Sequence, residues 1–395
     1  MAVTPKTLPP LGIADYALCC CLGRTREAVW RGLSKAEGSL GAPPFELPFA
    51  SVCGVVEGPL PALPGALSDF DTRLARLVLL ALEPLEPSLA RLRARFGDSR
   101  VGIVVGSSTA GLDTTERAYA QYVQSGELPW GYSPVRQHRF GAVLAMVREL
   151  VGARGPALVV STACSSSGKA FGTAQRMIAA GLADAMLVGG VDALCQMTVR
   201  GFRSLGILSE QPCRPFSSQR VGLNIGEGAA FFVLERGGDG PHRLLGVGES
   251  SDAHHMTAPD PGGRGAAQAM GAALALAGLE PDAIELINAH GTGTPLNDAA
   301  EATAIAARFP HAPKVLSTKG YTGHALGAAG GIEAALTLLS MEHGLIPQSR
   351  GCEPVDPELD IAVVEQASAL KVRRALSNSF AFGGSNVSVV LEHTA

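Results

Sequence analysis

Short apolar runs that end in small residues constrain the fold of this chain more than any other feature. Such runs, bounded by turn residues, are typical of β-strands. Between several of them lie stretches with apolar residues at helical intervals, notably at 166–180 and 330–345. This alternation predicts an α/β architecture. The predicted strands are 101–106, 157–161, 185–190, 284–289 and 387–391.

The composition and charge exclude several classes of protein. A hydrophobic content of 46% over 395 residues is ample for a large buried core. A net charge of −4, from 32 basic and 36 acidic side chains, gives no bulk reason to expect nucleic acid or an anionic membrane as partner. No apolar stretch is long enough to predict a membrane span, and residues 1–10 lack the apolar run of a secretory signal. We therefore expect a cytoplasmic protein.

A turn-rich stretch at 235–241, E-R-G-G-D-G-P, is the best candidate for a domain boundary. It follows a strand-like F-F-V-L run and precedes a new apolar run at 244–247. The two sides share a rough order of strand, glycine turn and helix. We therefore predict two similar halves, 1–240 with a nucleophilic cysteine and 241–395 with two catalytic histidines.

Cys164, in S-T-A-C-S-S-S-G, is that candidate nucleophile. It lies where an apolar strand gives way to small residues and a helix, so its sulfur would project from a tight turn, as in a nucleophile elbow. A helix N-terminus lowers a thiol pKa, and its free N–H groups can hold an oxyanion. The alternative is a buried structural cysteine, which we expect for Cys53, Cys195 and Cys352. The irregular spacing of the eight cysteines favours reduced thiols over disulfides.

Two histidines lie in glycine-rich segments. His290 follows the predicted strand 284–289 and precedes G-T-G-T, and His324 lies in T-G-H-A-L-G-A-A-G just before a predicted helix. Two neutral imidazoles that donate to one carbonyl would stabilise an enolate-like oxygen, while a nearby thiolate would accept an acyl group. This set predicts acyl transfer coupled to carbanion chemistry. We expect structural roles for the other histidines considered, His138, His242, His311, His343 and His393.

Zinc is the alternative ligand for these three side chains, because cysteine and histidine both suit that metal. Neither a C-x-x-C nor an H-E-x-x-H pair is present, and Cys164, His290 and His324 are far apart in the sequence. We therefore predict no metal, with a zinc-dependent acyltransferase as the alternative.

Further segments complete a pattern that identifies a family. In order they are R-P-F at 214–216, G-E-G-A at 226–229, S-S-D-A-H-H-M-T at 250–257, the two histidine loops, and N-S-F-A-F-G-G-S-N at 378–386. Together they resemble the elongating β-ketoacyl-acyl-carrier-protein synthases of the thiolase superfamily, from about Pro10 onward. The resemblance implies an α/β fold of the thiolase type, with five αβαβα layers made of two similar halves, and usually a homodimer. Thiolases have a second cysteine late in the chain, initiating synthases lack one histidine, and chain-length factors lack the nucleophile.

The same resemblance implies a role for each matching residue. Cys164 would be acylated, while His290 and His324 would support decarboxylation and hold the thioester oxygen. Lys319 and Glu333 would organise the electrostatics of the site. Phe382 would gate the acyl pocket, and its backbone N–H would form the oxyanion hole with that of Cys164. The residues with an implied substrate-binding role are Thr292, Thr294, Phe380 and Gly383.

The implied reaction needs no bound cofactor, because its substrates arrive on the phosphopantetheine of acyl carrier protein. An acyl chain would pass to Cys164, and malonyl-carrier-protein would then lose carbon dioxide and attack the acyl carbonyl. The product would be a β-ketoacyl thioester extended by two carbons, in fatty-acid, polyene or polyketide synthesis. The alternative function is that of a non-elongating, chain-length-factor-like subunit of a heterodimeric synthase.

Several departures from the family pattern indicate a specialised pathway or a heterodimer with a related synthase or chain-length factor. The stretch at 59–73 contains no lysine, although the family docks its acidic carrier there through basic residues. Ser217 and Val221 stand where aspartates are common, and the short opening predicts that much of the first strand is missing. Packing of Met146, Met197 and Phe202 would set the depth of the acyl pocket. The residues predicted to dock the carrier are Arg200, Arg203, Arg136 and Arg139.

Overall fold

One mixed β-sheet of 11 strands runs through the protein and is covered by helices, and two small sheets lie apart from it. The computed structural model describes residues 7–394; residue 395 and residues 1–6, part of the segment considered for a secretory signal, lie outside it. The strands are β1 Leu11–Cys19, β2 Leu40–Gly41, β3 Cys53–Gly54, β4 Val101–Gly106, β5 Ala157–Val160, β6 Ala185–Asp192, β7 Gly228–Arg236, β8 His242–Ser251, β9 Leu286–Asn288, β10 Lys314–Leu316, β11 Leu345–Ile346, β12 Ala362–Val363, β13 Ser368–Ala369, β14 Arg374–Ala381 and β15 Ser385–His393. The helices are α1 Arg26–Ser34, α2 Arg73–Leu82, α3 Glu86–Phe96, α4 Leu112–Ser125, α5 Pro134–Gln137, α6 Phe140–Val151, α7 Ser166–Ala179, α8 Gln196–Ser204, α9 Arg264–Ala277, α10 Pro295–Arg308, α11 Lys319–Thr322 and α12 Ala329–His343. The two small sheets are β2-β3 and β11-β13.

The order of strands in the large sheet is repeated. The full order is β12-β10-β9-β14-β15-β8-β1-β7-β6-β4-β5. Each side of the β8–β1 contact has two parallel strand pairs followed by two antiparallel pairs. On one side the strands with this pattern are β5-β4-β6-β7-β1, and on the other they are β10-β9-β14-β15-β8. Only Leu11 and Gly12 of β1 pair with β8. This repetition supports our proposal of two similar halves divided near residue 240.

Helices α7 and α12 lie between the two halves of the sheet, and other helices cover the outer faces. Apolar side chains from α7 and α12 form the central core together with β1, β6, β7, β8, β14 and β15. Helices α2, α3 and α6 pack on the outer face of the first half, and α9 and α10 on that of the second. Parallel strands covered on both faces need apolar residues throughout, which explains the continuous runs at β4 and β6. The predicted layering of helix, sheet, helix, sheet and helix is confirmed.

The predicted strands are all present, but one expectation about the sheet is wrong. The chain does not lack its first strand: β1 has nine residues and pairs along nearly its whole length with β7. Its sequence hides it, because Asp15 interrupts the apolar pattern at a β-bulge that follows Ile13. The Asp15 carboxylate accepts a hydrogen bond of 2.8 Å from the Ser88 hydroxyl, which stabilises a charge inside an otherwise apolar strand.

All eight cysteines are free thiols in the structure. The longest helix in residues 7–394, α12, has 15 residues, and none in that range is both long and apolar enough to cross a bilayer.

Candidate active site

Cys164 lies in the tight turn that connects β5 to α7. The residue before it, Ala163, has a φ of +50°, a left-handed conformation that side chains other than glycine adopt at some cost. Two hydroxyls stabilise this turn: that of Ser165 donates to the Thr162 carbonyl at 2.8 Å, and that of Ser166 to the Ala163 carbonyl at 2.6 Å. The structure thus places the cysteine at a strand-to-helix turn, as the sequence predicts.

The environment of the Cys164 thiol differs from the sequence expectation. Burial raises the pKa of this thiol to about 12, against the opposing effects of the Lys319 charge and of the backbone N–H of Phe382. Desolvation thus opposes the lowering of the thiol pKa that the sequence analysis expects from the helix N-terminus, and that lowering stays a prediction. The backbone N–H groups of Phe382 and of Cys164 itself both act on the sulfur. This is the pair of donors predicted to form the oxyanion hole.

His290 follows β9 in a loop held by a buried carboxylate. The N–H groups of His290 and Gly291 each donate to Glu301 of α10 at 2.8 Å, and the Asn378 side chain donates to the same carboxylate at 3.1 Å. Burial raises the pKa of Glu301 to about 7. No sequence motif indicates Glu301; its only signal is that a glutamate lies in the apolar face of the helix after the loop.

Lys319, at the start of α11, links the two histidine loops. Its Nζ donates to the His290 carbonyl at 2.6 Å and lies 3.3 Å from His290 Nδ1. The same ammonium group forms a buried ion pair with Glu333 of α12. Burial raises the pKa of the Glu333 carboxyl to about 7 although the Lys319 charge opposes that rise. The structure therefore brings both predicted electrostatic groups to the histidines.

His324 lies between α11 and α12, with its ring against that of His290. The ring centroids are 5.3 Å apart and the planes are nearly perpendicular. Burial, together with the positive charge of Lys319, lowers the pKa of both imidazoles well below 6.5. Both rings are therefore neutral at pH 7, the state in which an imidazole can donate an N–H to a developing oxyanion and accept a proton at its other nitrogen.

One cavity of about 160 Å³ brings most of the predicted site residues together. Its lining is mainly apolar and includes Phe202, whose ring stacks on that of Phe382 at 5.7 Å. Gly383 does not line this cavity; its N–H instead donates to the Met256 carbonyl at 2.7 Å. Predicted residues in the lining are Cys164, His290, His324, Thr292, Thr294, Phe380 and Phe382.

Two of the three residues predicted to set pocket depth do not line this cavity. Met146 is buried in the outer core of the first half, while Met197 is 62% exposed on α8. Only Phe202 lies in the lining. Met197 lies outside the cavity and Phe202 inside it because the two residues fall on different faces of α8.

The arginines predicted to dock a carrier protein are exposed. Arg200 and Arg203 lie on α8, the helix that carries Phe202, and Arg203 pairs with Glu210 at 3.1 Å. Arg136 lies on α5 over the ring of Phe70, and Arg139 follows it. The two pairs therefore lie on separate elements, and their role stays a prediction.

A buried aspartate that the sequence analysis missed joins the two halves near the site. Asp192, at the end of β6, accepts hydrogen bonds from Ser108 and Thr109 of the first half and, at 2.6 Å, from the Gly327 N–H of the second. Gly327 follows His324 by three residues, so this carboxylate holds the His324 turn against the first half.

The turns of Cys164 and His324 occupy equivalent places in the two halves. Each follows the third strand of its half, β5 or β10, and precedes the central helix, α7 or α12. Each also contains a residue other than glycine with positive φ, Ala163 at +50° and Leu326 at +52°.

In residues 7–394 no group of three or more His, Cys, Asp or Glu side chains is arranged to hold a metal ion.

Two family models match consecutive parts of the chain. The model of the beta-ketoacyl synthase N-terminal domain matches residues 72–239, and that of the beta-ketoacyl synthase C-terminal domain matches residues 243–353. The chain belongs to the beta-ketoacyl synthase family. The predicted family is thus confirmed.

Relatives of this beta-ketoacyl synthase agree with that assignment. It has 38% identity to 3-oxoacyl-[acyl-carrier-protein] synthase 2 of Staphylococcus aureus, over 74% of this chain and 77% of the relative. Nodulation protein E of Rhizobium meliloti has 34% identity over 93% of this chain and 95% of its own length. A chain from the complex of the ketosynthase ApeO with its chain length factor ApeC, from Xenorhabdus doucetiae, has 36% identity and a TM-score of 0.92 over 98% of both chains. The protein is a condensing acyltransferase with the predicted thiolase-like fold of two halves.

Proposed function

We propose that this beta-ketoacyl synthase joins an acyl chain held on Cys164 to the carbanion formed from malonyl-carrier-protein. One observation supports this most: Cys164 and Phe382 line the same cavity as His290 and His324, whose imidazoles are neutral. A nucleophile beside an oxyanion hole performs acyl transfer, and two N–H donors stabilise an enolate. The reaction uses no bound cofactor, because these groups and the carrier's thioester supply all of its chemistry.

In the first half-reaction, the Cys164 sulfur attacks the carbonyl of the acyl thioester. The carbonyl oxygen becomes an oxyanion held by the N–H groups of Cys164 and Phe382. The bond between the carbonyl carbon and the carrier's sulfur then breaks, and the carrier thiol leaves with the proton that the cysteine loses. The neutral imidazole of His290 can relay that proton, because a thiol with a pKa of about 12 must be deprotonated during the attack.

In the second half-reaction, the malonyl carboxylate leaves as carbon dioxide. The electron pair of the broken carbon–carbon bond forms an enolate on the remaining thioester, whose oxygen accepts N–H donors from His290 and His324. The enolate carbon attacks the acyl carbonyl, the bond to Cys164 breaks, and the sulfur leaves as a thiolate that takes up a proton from the solvent. Buried Lys319 and Glu333 hold His290 in place throughout.

Intact-protein mass spectrometry tests this proposal. The protein is incubated with acyl-carrier-protein and then with malonyl-carrier-protein. We expect an acyl adduct that disappears when malonyl-carrier-protein is added, and neither adduct nor product with Cys164→Ala. An adduct on that variant would contradict the proposal. A wild-type chain that forms no adduct alone but co-purifies with a related synthase would instead support the chain-length-factor-like alternative.

We further propose that the protein forms a dimer with a second copy or with a related chain. Strand β5 is an edge of the large sheet, and Leu158 in it is 43% exposed. Three large apolar side chains of the first half, Tyr119, Val123 and Trp130, are also at least 63% exposed. An unpaired sheet edge and exposed large apolar side chains are both features of protein–protein interfaces. A monomeric mass in light scattering, alone and with candidate partners, would contradict this proposal.

We propose that the protein acts in a specialised pathway in the cytoplasm. Its acyl carrier protein docks on Arg200 and Arg203 of α8 and on Arg136 and Arg139. The stretch at 59–73, where the family docks its carrier, contains the Asp71 carboxylate, which pairs with Arg76 at 2.6 Å. An acidic group in this stretch supports a carrier contact elsewhere on the protein. Reversal of the α8 charges, as Arg200→Glu with Arg203→Glu, should raise the KM for the carrier.

A further inference from the structure

The ring of His324 forms no hydrogen bond to any side chain of the described residues. Neither of its ring nitrogens has a hydrogen-bond partner among residues 7–394. The imidazole is therefore placed by packing and by its own backbone. That backbone is tied to one segment: the His324 N–H donates to the Asn224 carbonyl at 2.7 Å, and the Gly226 N–H donates to the His324 carbonyl at 3.0 Å. Segment 224–226 therefore helps to set the position of the imidazole, together with the Asp192 carboxylate that accepts the Gly327 N–H.

Asn224 fixes this segment through its side chain. It is fully buried, and its Oδ1 accepts the Cys213 N–H at 2.6 Å. Its Nδ2 donates to the carbonyls of Ser209 and Gln211 at 3.0 and 3.2 Å. One amide thus forms three hydrogen bonds to the loop 209–213, and a buried amide that loses such partners leaves polar groups unpaired.

The same loop also reaches the support of the other histidine. The Cys213 thiol donates to the Lys319 carbonyl at 3.3 Å, at the start of α11. Lys319 in turn holds His290 through its ammonium group. The Asn224 side chain therefore connects, through buried contacts, to the backbone of His324 on one side and to that of Lys319 on the other.

We infer that Asn224 is a positioning residue for His324. The inference rests on the proposed function, in which His324 acts on malonyl-carrier-protein in the second half-reaction. Loss of the Asn224 amide shifts segment 224–226 and with it the imidazole, while the Cys164 turn and its oxyanion hole are left in place. The effect falls on decarboxylation and condensation and spares the transfer of the acyl chain to Cys164.

The experiment measures both half-reactions in the same preparations. Asn224→Leu replaces the amide with an apolar side chain of similar shape, and Cys213→Ala is a milder variant that removes only the thiol donor. Gln175→Met is the matched control, because Gln175 is also a buried amide, but its Nε2 donates to the Leu245 carbonyl at 3.2 Å in β8. Acylation of Cys164 is followed by intact mass, and condensation by carbon dioxide release from malonyl-carrier-protein.

For Asn224→Leu we expect condensation to fall by about 100-fold, the cost of a displacement of about 1 Å in a catalytic group, with acylation at the wild-type rate. Cys213→Ala should show a smaller loss of the same kind, and Gln175→Met should leave the ratio of the two rates unchanged. Equal losses in both half-reactions, or none in either, would overturn the inference. If Asn224→Leu does not fold, Asn224→Asp, which keeps the acceptor for the Cys213 N–H and loses the donors to Ser209 and Gln211, decides by the same ratio.

A His324→Ala variant separates this inference from the proposed function. It should lose condensation and keep acylation. If it keeps condensation, the proposed role of His324 is wrong; if it behaves as expected while the Asn224 and Cys213 variants match wild type, only the positioning role is wrong.

Discussion

Cys164, His290 and His324 are 6%, 2% and 1% exposed, respectively. At that degree of burial, desolvation disfavours the charged form of every reacting group. The thiol and both imidazoles are thus uncharged in the resting protein, and charge develops only when substrate supplies an electrophile or loses carbon dioxide. The positive charge of the buried Lys319 acts on all three groups. It adds to the lowering of the pKa of both imidazoles and opposes the rise in the pKa of the thiol.

The protonation state of Cys164 gives a prediction at this scale. With a thiol pKa of about 12, alkylation of Cys164 by iodoacetamide should rise about tenfold per pH unit from pH 7 to pH 10 without a plateau. Mass spectrometry of the labelled peptide measures the rate, and Cys164→Ala gives the background from other cysteines. A plateau near neutral pH would show that the thiolate already exists in the free protein.

Glu301 supports a second prediction at the same scale. Glu301→Gln leaves a single carboxamide oxygen to accept from the N–H groups of His290 and Gly291, so one buried donor faces the new NH₂ group. We expect the free energy of unfolding to fall by about 1–3 kcal/mol, with reduced condensation. Urea unfolding measures the change. Glu149→Gln is the control, because the Glu149 side chain is 55% exposed in a surface ion pair and should have almost no effect.

At the scale of elements, the sequence predicts what depends on local pattern. Strands β4, β5, β6, β9 and β15 and helices α7 and α12 were predicted within a few residues, because apolar period and flanking glycines identify them. Strand β1 was not, since Asp15 breaks its pattern. Glu301, Asp192 and Asn224 were also missed: their partners are distant in sequence, and nothing local marks a buried polar residue whose role is to accept or donate across the fold.

Helices α7 and α12 approach closely through glycines, which gives a prediction at this scale. A Cβ at Gly330 would lie 2.7 Å from Ser379 Oγ and 3.0 Å from the Gly168 nitrogen. Gly330→Ala should therefore lower the free energy of unfolding by about 1–3 kcal/mol. Gly201→Ala in α8 is the matched control, because a Cβ there meets no atom within 4 Å and helix propensity should raise stability by about 1 kcal/mol. Equal thermal shifts in the two variants would contradict this account.

At the scale of the whole molecule, the site lies where the two halves meet. The first half supplies Cys164 and Asp192, and the second supplies His290, His324 and Phe382. The sequence predicts that Cys164, His290 and His324 act together from their chemistry and from the family resemblance, since residues more than 100 positions apart carry no local sign of contact. Folding and catalysis are therefore coupled, because the reacting groups come together only when both halves are packed on α7 and α12.

The buried histidines couple global stability to pH. The folded-state pKa of His324 lies well below its unfolded value of about 6.5, so its contribution to stability is present above pH 6.5 and is lost as the pH falls. In His324→Asn, one proton fewer is bound on unfolding. The slope of the free energy of unfolding against pH should therefore fall by about 1.4 kcal/mol per pH unit below pH 6. Urea unfolding of both proteins at pH 5, 6, 7 and 8 measures the difference. Parallel curves would show that His324 titrates normally in the folded protein.

The equivalence of the Cys164 and His324 turns has an evolutionary consequence. A half-length ancestor that paired with itself would have presented two identical strand-to-helix turns to a common cleft, one from each copy. Duplication and fusion of such an ancestor would let each turn change alone, one toward a thiol and the other toward an imidazole. The difference between Cys164 in one turn and His324 in the other is then a broken symmetry, and the strand order of the sheet still displays the symmetry of the two halves.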